Sequence, residues 1–121
     1  MKILIVDDNP SFLMLFQVYT KDYPQFEFLY VESGEEALKI LDSEKGRDIS
    51  LIVSDIRMPT LSGFDLSRIV KEKYPKIPIM LITGMESSYF SEEDLMFSTK
   101  FLNKNIGCEG ILEEIKVFFD G

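Results

Sequence analysis

The chain has 121 residues, 45% of them hydrophobic and 28% charged, which is enough for one buried core and one ordinary domain, read here as residues 1–121. Its net charge of −8 repels phosphate backbones and anionic membranes, so nonspecific nucleic-acid binding and membrane docking are excluded as its main work. With no histidine and a single cysteine, Cys108, it can build no imidazole metal site, no Ser–His or Cys–His catalytic pair and no internal disulfide.

The apolar runs are short, and no basic segment precedes a cleavage-like site, so neither a spanning helix nor a signal peptide is expected. The chain reads as cytoplasmic. The first run, Ile3 to Val6, is short and rich in β-branched residues and predicts a buried strand. Phe12, Leu15, Phe16 and Tyr19 then recur at helical spacing and predict a first helix with that inner stripe. Leu13, Met14 and Val18 fall off the stripe and are expected to face solvent. Phe26 to Val31 predicts strand two. Ser33-Gly34-Glu35-Glu36 is a capping box, opening a helix whose apolar face is Ala37, Leu38, Ile40 and Leu41. Leu51 to Val53 predicts strand three, and Leu66, Ile69 and Val70 a third helix that stops before Pro75. Ile77 to Ile82 predicts strand four. Ser91 to Phe97 predicts a fourth helix of weak periodicity, Phe101-Leu102 a weaker fifth strand, and Leu112, Ile115 and Phe119 a fifth helix. Cys108 reads as a small core residue of that last helix. Strands that are continuously apolar and alternate with helices imply a parallel sheet covered on both faces.

Function in such sheets gathers at the carboxyl ends of the strands. Asp7-Asp8 stands after strand one, Asp55 after strand three, Thr83-Gly84 after strand four and Lys104 near the end of strand five. Each has an ordinary reading alone: a strand-end turn, a cap, a common threonine, a solvated lysine. Together on one rim they form a set. Three carboxylates repel one another unless a cation joins them, and a hard, oxygen-loving ion such as Mg²⁺ suits them. Lys104 and Thr83 suit a phosphoryl group, as a positive partner and a hydrogen-bond donor. With no histidine or activated thiol, the plausible nucleophile is a carboxylate, which would yield an aspartyl phosphate.

These residues bring a family into view. The stretches Ile3-Leu4-Ile5-Val6-Asp7-Asp8-Asn9, Ser33-Gly34-Glu35-Glu36-Ala37-Leu38, Asp55-Ile56-Arg57-Met58-Pro59 with Gly63, Ile82-Thr83-Gly84 and Phe101-Leu102-Asn103-Lys104 occur in order from Lys2 to about Phe119. The chain resembles the receiver (response-regulator) domain of two-component signalling, of the chemotaxis-regulator kind. The resemblance implies a flavodoxin-like (βα)5 fold, with a five-stranded parallel sheet of order 2-1-3-4-5 and helices one and five on one face. It implies that Asp55 accepts a phosphoryl group from a sensor histidine kinase or a histidine phosphotransfer protein. It further implies that Asp8, Asp55 and the Arg57 backbone carbonyl bind Mg²⁺, with Asp7 assisting through water, and that Thr83 and Lys104 bind phosphoryl oxygens. Phe101 falls at the family's aromatic switch position, so Thr83 would move toward the phosphate and Phe101 would turn inward. The chain is then a signalling phosphoacceptor without external turnover, acting on an unknown downstream protein as a monomer or a phosphorylation-dependent homodimer.

Other expectations attach to this reading. Asn105 stands where the family keeps a cis proline. A cis bond to a non-proline costs about 3 kcal/mol, so the loop after strand five is expected to be trans and reshaped, or strained. Arg57 and Met85 flank the path of the hydrolytic water and are expected to tune the phosphoryl lifetime. Leu13 and Met14 are expected to form a kinase-docking surface on helix one. The competing readings are a phosphorylation-independent, degenerate receiver acting as an interaction domain, and an Mg²⁺-dependent phosphatase of the haloacid-dehalogenase kind. The second places its nucleophile in an Asp-x-Asp motif on strand one, whereas Asp7-Asp8 is followed here by Asn9. A flavin-binding domain would need a phosphate loop after strand one, and none follows.

Overall fold

The computed structural model describes residues 1–84 and 90–121. Five strands, β1 (Lys2–Val6), β2 (Glu27–Val31), β3 (Ile49–Asp55), β4 (Ile79–Thr83) and β5 (Lys100–Asn103), form one parallel sheet of order β2-β1-β3-β4-β5. Five helices alternate with them: α1 (Pro10–Tyr19), α2 (Gly34–Leu41), α3 (Gly63–Lys73), α4 (Glu92–Leu95) and α5 (Gly107–Asp120). This is the flavodoxin-like arrangement expected from the sequence. No described helix is long and apolar enough to cross a membrane.

The period-2 pleat splits each central strand between two cores. Ile3, Ile5, Leu51, Val53, Met80 and Ile82 face α1 and α5, where Leu13, Phe16, Ile111, Leu112 and Ile115 meet them. Leu4, Val6, Ile52, Ile79 and Leu81 face α2 and α3, where Ala37, Leu41, Leu66 and Val70 close the other side. Both faces of β1, β3 and β4 are therefore dry, which is why these strands carry no alternating polar residue. Cys108 is buried in the first core, as expected.

Helix α1 turns its faces differently from the sequence expectation. Leu13 is buried, while Leu15, assigned to the inner stripe, is 52% exposed beside Met14 and Val18. Residues 12–16 are all apolar, so helical spacing alone fits more than one rotational phase. Packing selects the phase that seats Phe16 edge-on against Phe28 and Tyr30. The helix start is fixed by Asn9, whose side-chain oxygen accepts the Ser11 and Phe12 backbone N–H groups, and by Pro10 in the first turn.

Helix α4 is shorter than expected and ends at Leu95. Its start is strong: Ser91 and Asp94 form a capping box, and three acidic residues in the first turn favour the helix dipole. Thr99 then ties the chain to β4, its hydroxyl oxygen accepting the Ile79 N–H at 3.2 Å and its own N–H donating to the Ile79 carbonyl at 2.7 Å. After β5, no described peptide bond is cis. Lys104–Ile106 forms a 3-10 turn in which the Asn105 N–H donates to the Asn103 side chain at 2.8 Å, a bond proline lacks, and Gly107 follows with φ +75°. The loop takes the expected trans form and is built from Asn103, Asn105 and a glycine that tolerates positive φ.

Candidate functional site

The carboxyl rim of the sheet brings the predicted set together. Asp7 follows β1 directly and is fully buried, while Asp8 next to it is exposed. The Asp7 backbone N–H donates to Val31 O at 3.1 Å, which fixes the strand end, and one side-chain oxygen accepts the Asn9 N–H at 2.9 Å. Asp55 ends β3 with only 7% of its surface exposed. One oxygen from each of Asp7, Asp8 and Asp55 lies within 4.8 Å of the others.

Lys104 reaches in from the end of β5. Its Nζ lies 2.8 Å from Asp7 Oδ2 and 3.4 Å from Asp55 Oδ1. Phe12 supplies a third neighbour, its ring centroid 4.7 Å from the same nitrogen. Asp7 Oδ2 is buried and makes no well-angled hydrogen bond, so the short approach of Lys104 acts on it as an ion contact. Three carboxylates whose oxygens converge fit a small divalent cation; Asp7, Asp8 and Asp55 are the residues that would hold it.

Electrostatics follow from this packing. Burial pushes the Asp55 carboxyl up to about 6, the Asp7 charge adds to that, and Lys104 pulls the other way. Burial alone would lower the Lys104 ammonium, but the contact and charge of Asp7, followed by those of Asp55, outweigh it and raise the group. Asp55 is therefore ionised at neutral pH but strained in that form.

The loop after Asp55 is held tightly. Ile56 N–H donates to Ile82 O at 3.1 Å, and Gly63 N–H donates to Ile56 O at 2.9 Å. A Cβ at Gly63 would stand 2.4 Å from the Asp55 carbonyl oxygen, so only glycine lets α3 begin this close to the acceptor. Ser62 and Asp65 complete the start of α3 with a capping box. Thr83 ends β4, buried, and Arg57 is exposed two residues past Asp55. Phe101 is half-buried, with the Phe90 ring 5.8 Å away and Phe64 a further 5.0 Å on. Met85 lies outside the described residues. Leu13, expected at a docking surface, is in the core instead. The sequence reading missed Phe12 as a rim residue. The signal was present in its place in the first helical turn after the Asp pair.

The family profile described as "Response regulator receiver domain" matches residues 3–116. The chain belongs to that family. Among curated proteins, the receiver is 32% identical over 88 residues to the alkaline phosphatase synthesis transcriptional regulatory protein PhoP of Bacillus subtilis, covering 73% of this chain and 35% of that one. The chain spans about a third or less of the length of such curated relatives. Among solved structures it is 27% identical to the chemotaxis response regulator CheY4 of Vibrio cholerae, with a TM-score of 0.79 and 95% of each chain covered. It is 26% identical to the response regulator TrrA of Thermotoga maritima, solved in complex with Mg²⁺ and BeF, with a TM-score of 0.74, covering 95% of this chain and 96% of that one. A receiver domain of a two-component response regulator is a signalling phosphoacceptor rather than a classical enzyme.

Proposed function

We propose that residues 1–121 act in the cytoplasm as a phosphorylation-activated receiver, with Asp55 as the phosphoacceptor. The observation that carries this reading is the rim where the buried Asp7 and Asp55 meet Lys104, with the exposed Asp8 completing the carboxylate cluster. An ionised Asp55 oxygen attacks the phosphorus of a phosphohistidine. The new bond is Asp55 O–P, the P–N bond breaks, and the leaving imidazole keeps that electron pair and takes a proton. Bound Mg²⁺, held by Asp8, Asp55 and the Arg57 carbonyl with Asp7 through water, would neutralise the charge of carboxylate and phosphoryl group. Lys104 and Thr83 would bind phosphoryl oxygens, and Phe101 would report occupancy by turning inward. That the similar response regulator TrrA was solved in complex with Mg²⁺ and BeF supports this reading. Incubation with Mg²⁺ and acetyl phosphate is expected to add one phosphoryl group per chain by intact mass, and a chelator is expected to abolish it. An adduct that forms equally with the chelator present would overturn the metal role.

The phosphodonor is a sensor histidine kinase or a histidine phosphotransfer protein, docked on α1. Met14, Leu15 and Val18 are exposed there, and a groove of about 280 Å³ lined by Leu15, Tyr19, Ile106, Gly107, Cys108 and Glu109 adjoins them. This patch replaces the one expected from Leu13 and Met14, since Leu13 is buried. The double variant Met14→Asp, Leu15→Asp is expected to slow transfer from the donor protein roughly tenfold or more while leaving uptake from acetyl phosphate near that of the parent. Equal donor-protein rates would remove the docking role.

Arg57 and Met85, two positions after Asp55 and Thr83 in the sequence, tune the lifetime of the acyl phosphate. Arg57→Ala and Met85→Ala are each expected to change the dephosphorylation rate. Unchanged decay in both variants refutes the tuning.

A further inference from the structure

We propose that Phe12 is a positioning residue for Lys104: its ring is the platform that holds the ammonium at the rim, facing the phosphoryl position. The proposal rests on the receiver reading above and goes beyond it. Among the described residues, three side chains face Lys104 Nζ, namely Asp7 at 2.8 Å, Asp55 at 3.4 Å and the Phe12 ring at 4.7 Å from its centroid. The first two are carboxylates that also belong to the candidate cation cluster. The ring has no oxygen to share, so it is the one of the three that serves the ammonium alone.

The ring face carries negative charge density and attracts a cation within about 6 Å, more strongly where water is partly excluded. Lys104 meets that condition, with its side chain only 25% exposed. The platform is itself fixed. The Phe12 N–H donates to the capping Asn9 oxygen at 3.3 Å, and the ring rests 5.9 Å from that of the buried Phe16. An aliphatic side chain of similar bulk would fill the same space without attracting the charge. It would leave the lysine to follow its carboxylates alone.

The ring thus sets where the phosphoryl-binding ammonium waits when those carboxylates are otherwise engaged. Phe12→Leu removes the ring face and keeps the bulk, Phe12→Tyr keeps the ring, and Lys104→Met removes the cation. Mg²⁺ affinity is measured alone by calorimetry, and fluoroberyllate affinity is then measured with Mg²⁺ saturating. Phe12→Leu is expected to bind Mg²⁺ as the parent does and fluoroberyllate about three- to tenfold more weakly. Phe12→Tyr is expected to match the parent. On the Lys104→Met background, Phe12→Leu is expected to add no further loss, the mark of an effect acting through the lysine. Parental fluoroberyllate affinity in Phe12→Leu, or the same additional loss without Lys104, overturns the platform. A parent chain that binds fluoroberyllate while Phe12→Leu is unchanged leaves the receiver reading standing and removes only the ring's role. A parent chain that binds none and takes up no phosphoryl group overturns both.

Discussion

In metal-free buffer at pH 8, Asp55→Asn is expected to unfold at a higher temperature than the parent chain. Burial and the Asp7 charge hold the folded Asp55 carboxyl at about 6, against an ordinary value of 3.8. The folded state binds that proton more tightly than the unfolded state does. The stabilisation linked to it is therefore complete below about pH 4 and is lost as pH rises through about 6. Above that range the parent carries the cost of a buried, ionised Asp55, roughly 2–3 kcal/mol, and the amide variant does not. For a chain of this size the difference corresponds to about 8–12 °C in the melting temperature. It should shrink steadily as the pH is lowered toward 4. Added Mg²⁺ should raise the parent more than the variant, because a ligand stabilises the state that binds it. Thermal unfolding across that pH range, with chelator and then with Mg²⁺, checks all three. Equal or lower stability of Asp55→Asn at pH 8 without metal would show that the carboxylate cluster is not strained.

Phosphoryl uptake should fall to nothing in the same variant. An amide oxygen is a far weaker nucleophile than a carboxylate, and among the described residues no other group on the rim matches Asp55 in place and environment. Asp7 is already in contact with Lys104 through one oxygen and bonded to the Asn9 N–H through the other, and Asp8 is exposed. Lys104→Met should keep the acceptor but slow the reaction about a hundredfold or more, as losses of a preorganised charge partner typically do. Initial rates of uptake from acetyl phosphate in saturating Mg²⁺ separate the two. An Asp55→Asn chain that is phosphorylated at the parental rate refutes the acceptor assignment.

The sheet is legible in the sequence because β1, β3 and β4 are buried on both faces and so carry continuous apolar runs, Ile3–Val6, Leu51–Val53 and Ile79–Ile82. The rim was legible for a related reason. In a parallel sheet every strand end points the same way, so Asp7, Asp55, Thr83 and Lys104 could be gathered without knowing a distance. What failed depended on a choice that spacing does not make. Residues 12–16 are apolar at every position, and the rotation of α1 was decided by the fit of Phe16 against Phe28 and Tyr30. That turned Leu13 inward and Leu15 outward. The end of α4 was misjudged because the acidic cap at Ser91–Asp94 is a strong start with no apolar stripe behind it. The contact of Phe12 with Lys104 joins the first helix to the last strand, and it exists only once the order β2-β1-β3-β4-β5 has been assembled. Asn105 marks the turn after β5 in the sequence, but the bond from its N–H to the Asn103 side chain forms only in the folded turn.

The most direct measurement is to locate the phosphoryl group on the chain. After reaction with acetyl phosphate and Mg²⁺, borohydride reduces an aspartyl phosphate to homoserine, and peptide mass mapping then reads which residue was modified. Homoserine at position 55 alone is the expected result. Modification at Asp7 or Asp8, or none at any carboxylate, would contradict a receiver that works through Asp55.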